Sequence, residues 1–198
     1  MSTLPIPTHP TRPQCSRCRR PLRSCLCAWI RPTDNATPVL VLQHPAEAGH
    51  AKGSVRLLQL SLLRCQCTVA EVLDPPGLAD AMQPGTVLLY PATPGGTVQP
   101  VTPTEPIRRL LVLDGTWRQS RQLLHLNPAL QALPRLALQG PPPSLYAARK
   151  AQRPDQRSTL EATCQALGQL EAQPERYAPL LQAFAGWVQG LQAATLRA

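Results

Sequence analysis

The stretch at residues 110–120, LLVLDGTWRQS, constrains this chain more than any other. Four apolar residues, Leu110 to Leu113, run into Asp114, the pattern of a strand buried on both faces of a parallel sheet. Gly115 lets the chain turn sharply and lets a ligand approach the backbone. Thr116 can cap the next segment with its hydroxyl, and residues 117–126 carry a helical pattern that Asn127-Pro128 ends. In open α/β sheets ligands bind beyond the carboxyl ends of the strands. An acid, a hydroxyl and an indole therefore stand at such an edge within four residues. The same letters also fit a plain strand-to-helix corner with a capping Thr and a packed Trp.

The rest of the chain supplies more strands and helices in alternation. Residues 38–43, 64–73, 86–90 and 135–139 read as further strands. Residues 55–62 read as a helix. Ser158-Thr159-Leu160-Glu161 is a capping box opening a helix with Leu160, Cys164, Leu167 and Leu170 on one side. A final helix places Tyr177, Leu180, Leu181, Phe184, Trp187, Val188 and Leu191 mostly at three- and four-residue steps, a core stripe. This alternation predicts an α/β fold with a largely parallel sheet flanked by helices. Asp74-Pro75-Pro76-Gly77 is expected to end the second strand, and Cys65 and Cys67, on one face of it, to be core.

At 198 residues the chain is one domain with a small module attached. Residues 1–14 are Pro-rich and polar and are expected to be disordered. Residues 15–35 follow as a four-cysteine module, and residues 36–198 form the main domain. Within the module, Cys15-x-x-Cys18 is followed by Cys25-x-Cys27, six residues intervening between the pairs. Two such thiolate pairs on tight knuckles can converge on one tetrahedral zinc. Four thiolates leave no open position, so the metal's role is structural. A redox pair is the alternative, but it leaves two thiols unused.

The hydrophobic content of 43% builds a core without disulfides. No segment reaches the ~20 apolar residues of a membrane span, and the N-terminus lacks the charged-then-apolar order of a signal peptide. A cytoplasmic place is expected, with cysteines as thiols or metal ligands. The net charge of +9 is uneven: +5 lies in residues 1–35, +3 in 108–134 and +4 in 135–157. That layout suits a phosphate-backbone binder; solubility alone is the plainer account.

Several loops offer side chains of interest. His44-Pro45-Ala46-Glu47 leaves the first strand, where a His is often only a hydrogen-bonded structural residue. Tyr90-Pro91 opens a Gly/Pro loop that suits a nucleoside pocket or an idle surface equally. It is not the G-x-G-x-x-G phosphate cradle, and no P-loop is present, which argues against NAD and ATP. Ser144, Tyr146 and Arg149 follow three prolines; they offer a hydroxyl, a stacking ring and a guanidinium, for a base and its phosphate or for a carboxylate. A capped helix start explains the serine as well.

Taken in order, these motifs resemble the DTW-domain family of tRNA-uridine aminocarboxypropyltransferases. The likeness runs from the four cysteines through His44-Pro45-x-Glu47 and Asp114-Gly115-Thr116-Trp117 to Ser144-x-Tyr146-x-x-Arg149 and Ser158-Thr159-Leu160-Glu161-Ala162. It implies a SPOUT-like fold whose C-terminal segments thread a trefoil knot. It implies S-adenosylmethionine as donor and, as product, a tRNA uridine bearing a 3-amino-3-carboxypropyl group on N3, with 5'-methylthioadenosine released. On this resemblance Asp114 is the catalytic candidate, as base or as partner of the sulfonium. Tyr90, Pro91, Thr116 and Trp117 would contact the donor, and His44, Glu47, Ser144, Tyr146 and Arg149 the tRNA. No protein partner is implied. A methyltransferase on the same donor and a non-catalytic zinc-bearing RNA binder are the rival readings.

Overall fold

The computed structural model describes residues 13–50, 53–91, 106–139 and 157–195, with side chains through residue 191. Five strands form one parallel sheet: β1 (Val39–Gln43), β2 (Cys65–Val69), β3 (Thr86–Leu89), β4 (Arg109–Asp114) and β5 (Arg135–Leu136). Their order across the sheet is β2-β1-β4-β3-β5. The apolar runs of β1 and β4 are buried on both faces, as a parallel sheet between two helical layers requires.

Side-chain alternation divides the core in two. Val39, Val41, Leu110, Val112 and Val87 point to one face, where α2 (Val55–Ser61), α5 (Thr159–Leu170) and α6 (Ala178–Thr195) cover them. Leu40, Leu42, Leu111, Leu113 and Leu88 point to the other, under α3 (Pro75–Ala81) and α4 (Trp117–Leu126). The cysteine module does not stand apart. Its Leu26 and Ile30 belong to the first cluster, and Trp29 packs so closely on Gly186 of α6 that a Cβ there would lie 2.6 Å from the indole. Gln14, within the stretch expected to be disordered, bridges to Pro21. The expected disorder of residues 1–12 lies outside the described residues.

Three expectations change. Asp74-Pro75-Pro76-Gly77 starts a helix as well as following a strand: Asp74 accepts a hydrogen bond from the Gly77 N–H at 2.9 Å, and prolines at the first helical positions lose no needed donor. β2 is five residues rather than ten, because β1, its neighbour among the described residues, runs five. β5 is two residues, pairing Arg135 and Leu136 with Leu88 and Leu89 at the end of β3.

Topology then marks a candidate site. From β1 the chain moves outward to β2; from β4 it moves past β3, in the opposite direction, to β5. The order therefore reverses between β1 and β4, where ligands of open α/β sheets bind. The last residues of those strands, Gln43 and Asp114, are register partners. Among the described residues no helix is long and apolar enough to cross a membrane.

Candidate active site and metal centre

Asp114 ends β4 on the face covered by α5, buried at 8% exposure. Gln43 Nε2 donates to its Oδ2 at 2.7 Å, and Thr159 Oγ1 donates to its Oδ1 at 2.5 Å. Thr159 is the first residue of α5, whose capping box the sequence predicted: Ser158 and Glu161 bond each other's backbone N–H and share a direct hydrogen bond at 2.9 Å. The cap thus fixes a hydroxyl beside the carboxylate. Neither Gln43 nor Thr159 was expected at the site. Gln43 shares the parity of Val39 and Val41, so its place on this face is readable; the arrival of Thr159 beside β4 is not.

One thiol on β2 lies near enough to Asp114 to feel it. Burial, then the nearby Asp114 carboxylate, pushes the Cys67 thiol up to about 11; burial pushes Cys65 up to about 12. Both pack against the first cluster, as expected of core cysteines.

His44 caps α1 (Pro45–Ala48), its Nδ1 accepting from the Ala46 N–H at 3.2 Å. Its Nε2 lies 3.1 Å from Glu71 Oε1, an ion-pair distance but outside hydrogen-bond geometry. The His44 N–H donates to the Asp114 carbonyl at 2.9 Å, so the loop carrying His44 and buried Glu47 is tied to the end of β4.

The α3–α4 side of the same edge is aromatic. Thr116 closes a capping box with Gln119. Trp117 is half exposed and meets Tyr90 edge-to-face at 5.9 Å between centroids. The Arg135 guanidinium sits 4.9 Å above the Tyr90 ring. Tyr90 packs on the second cluster, whereas Asp114 alternates with the first, so carboxylate and aromatic pair occupy the two sides of one sheet edge. Pro91 is exposed beside them. Ser144, Tyr146 and Arg149 lie outside the described residues. A cavity of about 300 Å³, lined by Gln83, Pro84, Thr86, Arg108 and Arg109, opens at the opposite, amino-terminal edge of the sheet. Arg109 is held there by Asp80, so the cavity is remote from this chemistry.

In the cysteine module the four sulfurs of Cys15, Cys18, Cys25 and Cys27 lie within 4.8 Å of one another. Cys15 and Cys27 are 3.6 Å apart, Cys18 and Cys25 3.7 Å. Four thiolates about 2.3 Å from a tetrahedral zinc would be spaced about 3.8 Å apart, so the donor set fits a metal of that kind. Backbone N–H groups of Cys18 and Arg17 pull the Cys15 thiol down to about 6, while burial and its sulfur neighbours push Cys27 up to about 12. Arg56 of α2 ties the knuckle to the main domain, donating to the Arg17 and Cys18 carbonyls at 2.8 and 3.3 Å.

Fold and site define the class: a parallel α/β domain with an acid-and-aromatic edge at its switch point and a four-cysteine module docked on it. The chain belongs to the DTW-domain family, whose model matches residues 12–192. It is similar to proteins named tRNA-uridine aminocarboxypropyltransferase 2. That of Macaca fascicularis is 30% identical over 178 residues, covering 85% of this chain and 60% of the relative. That of Drosophila melanogaster is 31% identical over 173 residues, covering 83% and 69%. A tRNA-uridine aminocarboxypropyltransferase A of Arabidopsis thaliana is 28% identical over 138 residues, covering 59% and 52%. The chain thus spans about 60% of the length of the Macaca relative. No solved structure matches it.

Proposed function

We propose that this chain is a tRNA-uridine aminocarboxypropyltransferase. It would move the 3-amino-3-carboxypropyl group of S-adenosylmethionine to N3 of a tRNA uridine and release 5'-methylthioadenosine. The observation that carries this reading is Asp114, anchored by Gln43 and Thr159 at the strand-order reversal of a DTW-family domain. When bound, the donor supplies an electrophilic carbon beside its sulfonium; which of three carbons reacts depends on the one held in line. Uridine N3 is a poor nucleophile until its proton leaves, and Asp114 is the carboxylate assigned to take it or to face the sulfonium. Trp117, Tyr90, Pro91 and Thr116 form the donor's wall, and His44 and Glu47 the uridine side. Ser144, Tyr146 and Arg149 are assigned to tRNA on the family resemblance alone, as is the SPOUT-like knotted ending. Cys15, Cys18, Cys25 and Cys27 hold a structural zinc, and the working place of the protein is the cytoplasm.

Product analysis tests this. Unmodified tRNA incubated with donor labelled in its carboxyl group should acquire label on a uridine, with methylthioadenosine as spent donor. Adenosylhomocysteine would make the chain a methyltransferase; tRNA binding without donor binding would make it a non-catalytic RNA binder.

A further inference from the structure

We infer that the exposed face of α4 is the track on which the RNA strand next to the target uridine lies. The inference rests on the proposed transfer to tRNA and adds the surface that grips it. α4 is two-sided: Ser120, Leu123 and Leu124 are buried, while Trp117, Arg118, Arg121, Gln122 and His125 are exposed. Positions 118, 121, 122 and 125 fall at the three- and four-residue spacing of one helical face. The helix contains no acid. Among the described residues neither Arg118 nor Arg121 makes an ion pair or a side-chain hydrogen bond. In contrast, Arg20, Arg56, Arg109 and Arg176 are all engaged with the protein's own oxygens. At the margin of this face Glu71 lies 3.5 Å from Gln122 and also faces His44.

Position makes this face more than a solvated stripe. α4 begins three residues after Asp114, so the two guanidinium groups start at the site and lead away from it. At the head stands Trp117, braced against Tyr90 so that the rest of the indole faces solvent. The open side of the ring that walls the donor, followed by two arginines unpaired among the described residues, leaves a track that phosphates of a single strand can follow away from the site. Loops splayed open are where RNA presents its bases to enzymes.

The test compares full-length wild type with Arg118→Gln/Arg121→Gln and with Arg64→Gln/Arg108→Gln, which removes the same charge at exposed positions of the opposite sheet edge. Unmodified tRNA binding is measured across a salt series, and donor binding by calorimetry. The α4 pair should weaken tRNA binding on the order of tenfold and flatten the log–log salt slope by about 1.4 to 1.8, two phosphate contacts' worth. Donor affinity should stay at the wild-type value, and Arg118→Lys/Arg121→Lys should recover most of the slope. Equal losses in both Gln pairs, or none in the α4 pair, would overturn the assignment while leaving the transferase reading standing. A wild type that fails to bind tRNA at all would overturn both.

Discussion

Thr159 and Asp114 are 45 residues apart in sequence and share a hydrogen bond of 2.5 Å from hydroxyl to carboxylate. The bond joins the first turn of α5 to the end of β4, so one contact ties the helix packed on the sheet to the candidate catalytic acid. Gln43 completes the arrangement from β1. A carboxylate buried to this degree depends on its donors, since an unpaired one is costly.

That dependence can be measured. Thr159→Val keeps the shape and removes the donor, and it should cost about 1.5–3 kcal/mol of stability in urea unfolding. Transfer activity should fall with it, and Thr159→Ser should restore both. A Val variant as stable and active as wild type would mean that this contact does nothing for the site.

Metal removal should act on the whole domain. Leu26 and Ile30 lie in the main core and Trp29 packs on α6, so losing the metal cannot melt the module alone. One zinc per chain is expected by elemental analysis. Cys18→Ser, or a strong chelator, should lower stability on the order of several kcal/mol in a single transition. Two separate transitions would show the module to be independent.

The two thiols of β2 give stability a pH dependence at the alkaline end. Cys65 is pushed up to about 12 and Cys67 to about 11, so both stay neutral in the folded protein after their unfolded counterparts, near 9.0, have ionised. The unfolded state then binds fewer protons, and stability falls as pH rises from about 9. Cys65 contributes up to about 1.4 kcal/mol per pH unit, and the more open Cys67 less. Cys65→Ala should flatten the slope of unfolding midpoint against pH between 9 and 11; an unchanged slope would remove the thiol from the explanation.

The corner that opens at Asp114 was readable because every signal in it is local. The apolar run, the capping Thr116 and the Asn127-Pro128 stop are contiguous, and α4 spans Trp117–Leu126 as the pattern says. The cysteines were readable for the same reason, since their spacing is itself the knuckle. α3 was missed because Pro75 and Pro76 read as breakers, although prolines suit a first turn capped by Asp74. Thr159 was legible as part of a cap and not as a partner of Asp114. A capping box fixes where a helix starts but not which strand it starts beside. Cys65–Val69 shows the remaining limit, since a strand's length follows its neighbour's and not its own apolar run.

Asp114→Asn tests the role of the Asp114 carboxylate most directly. The amide keeps the side chain's size, so the variant should bind S-adenosylmethionine as wild type does in calorimetry. With donor and unmodified tRNA both saturating, single-turnover transfer should drop by about 100-fold or more. Transfer at the wild-type rate by a variant that binds the donor normally would contradict the account.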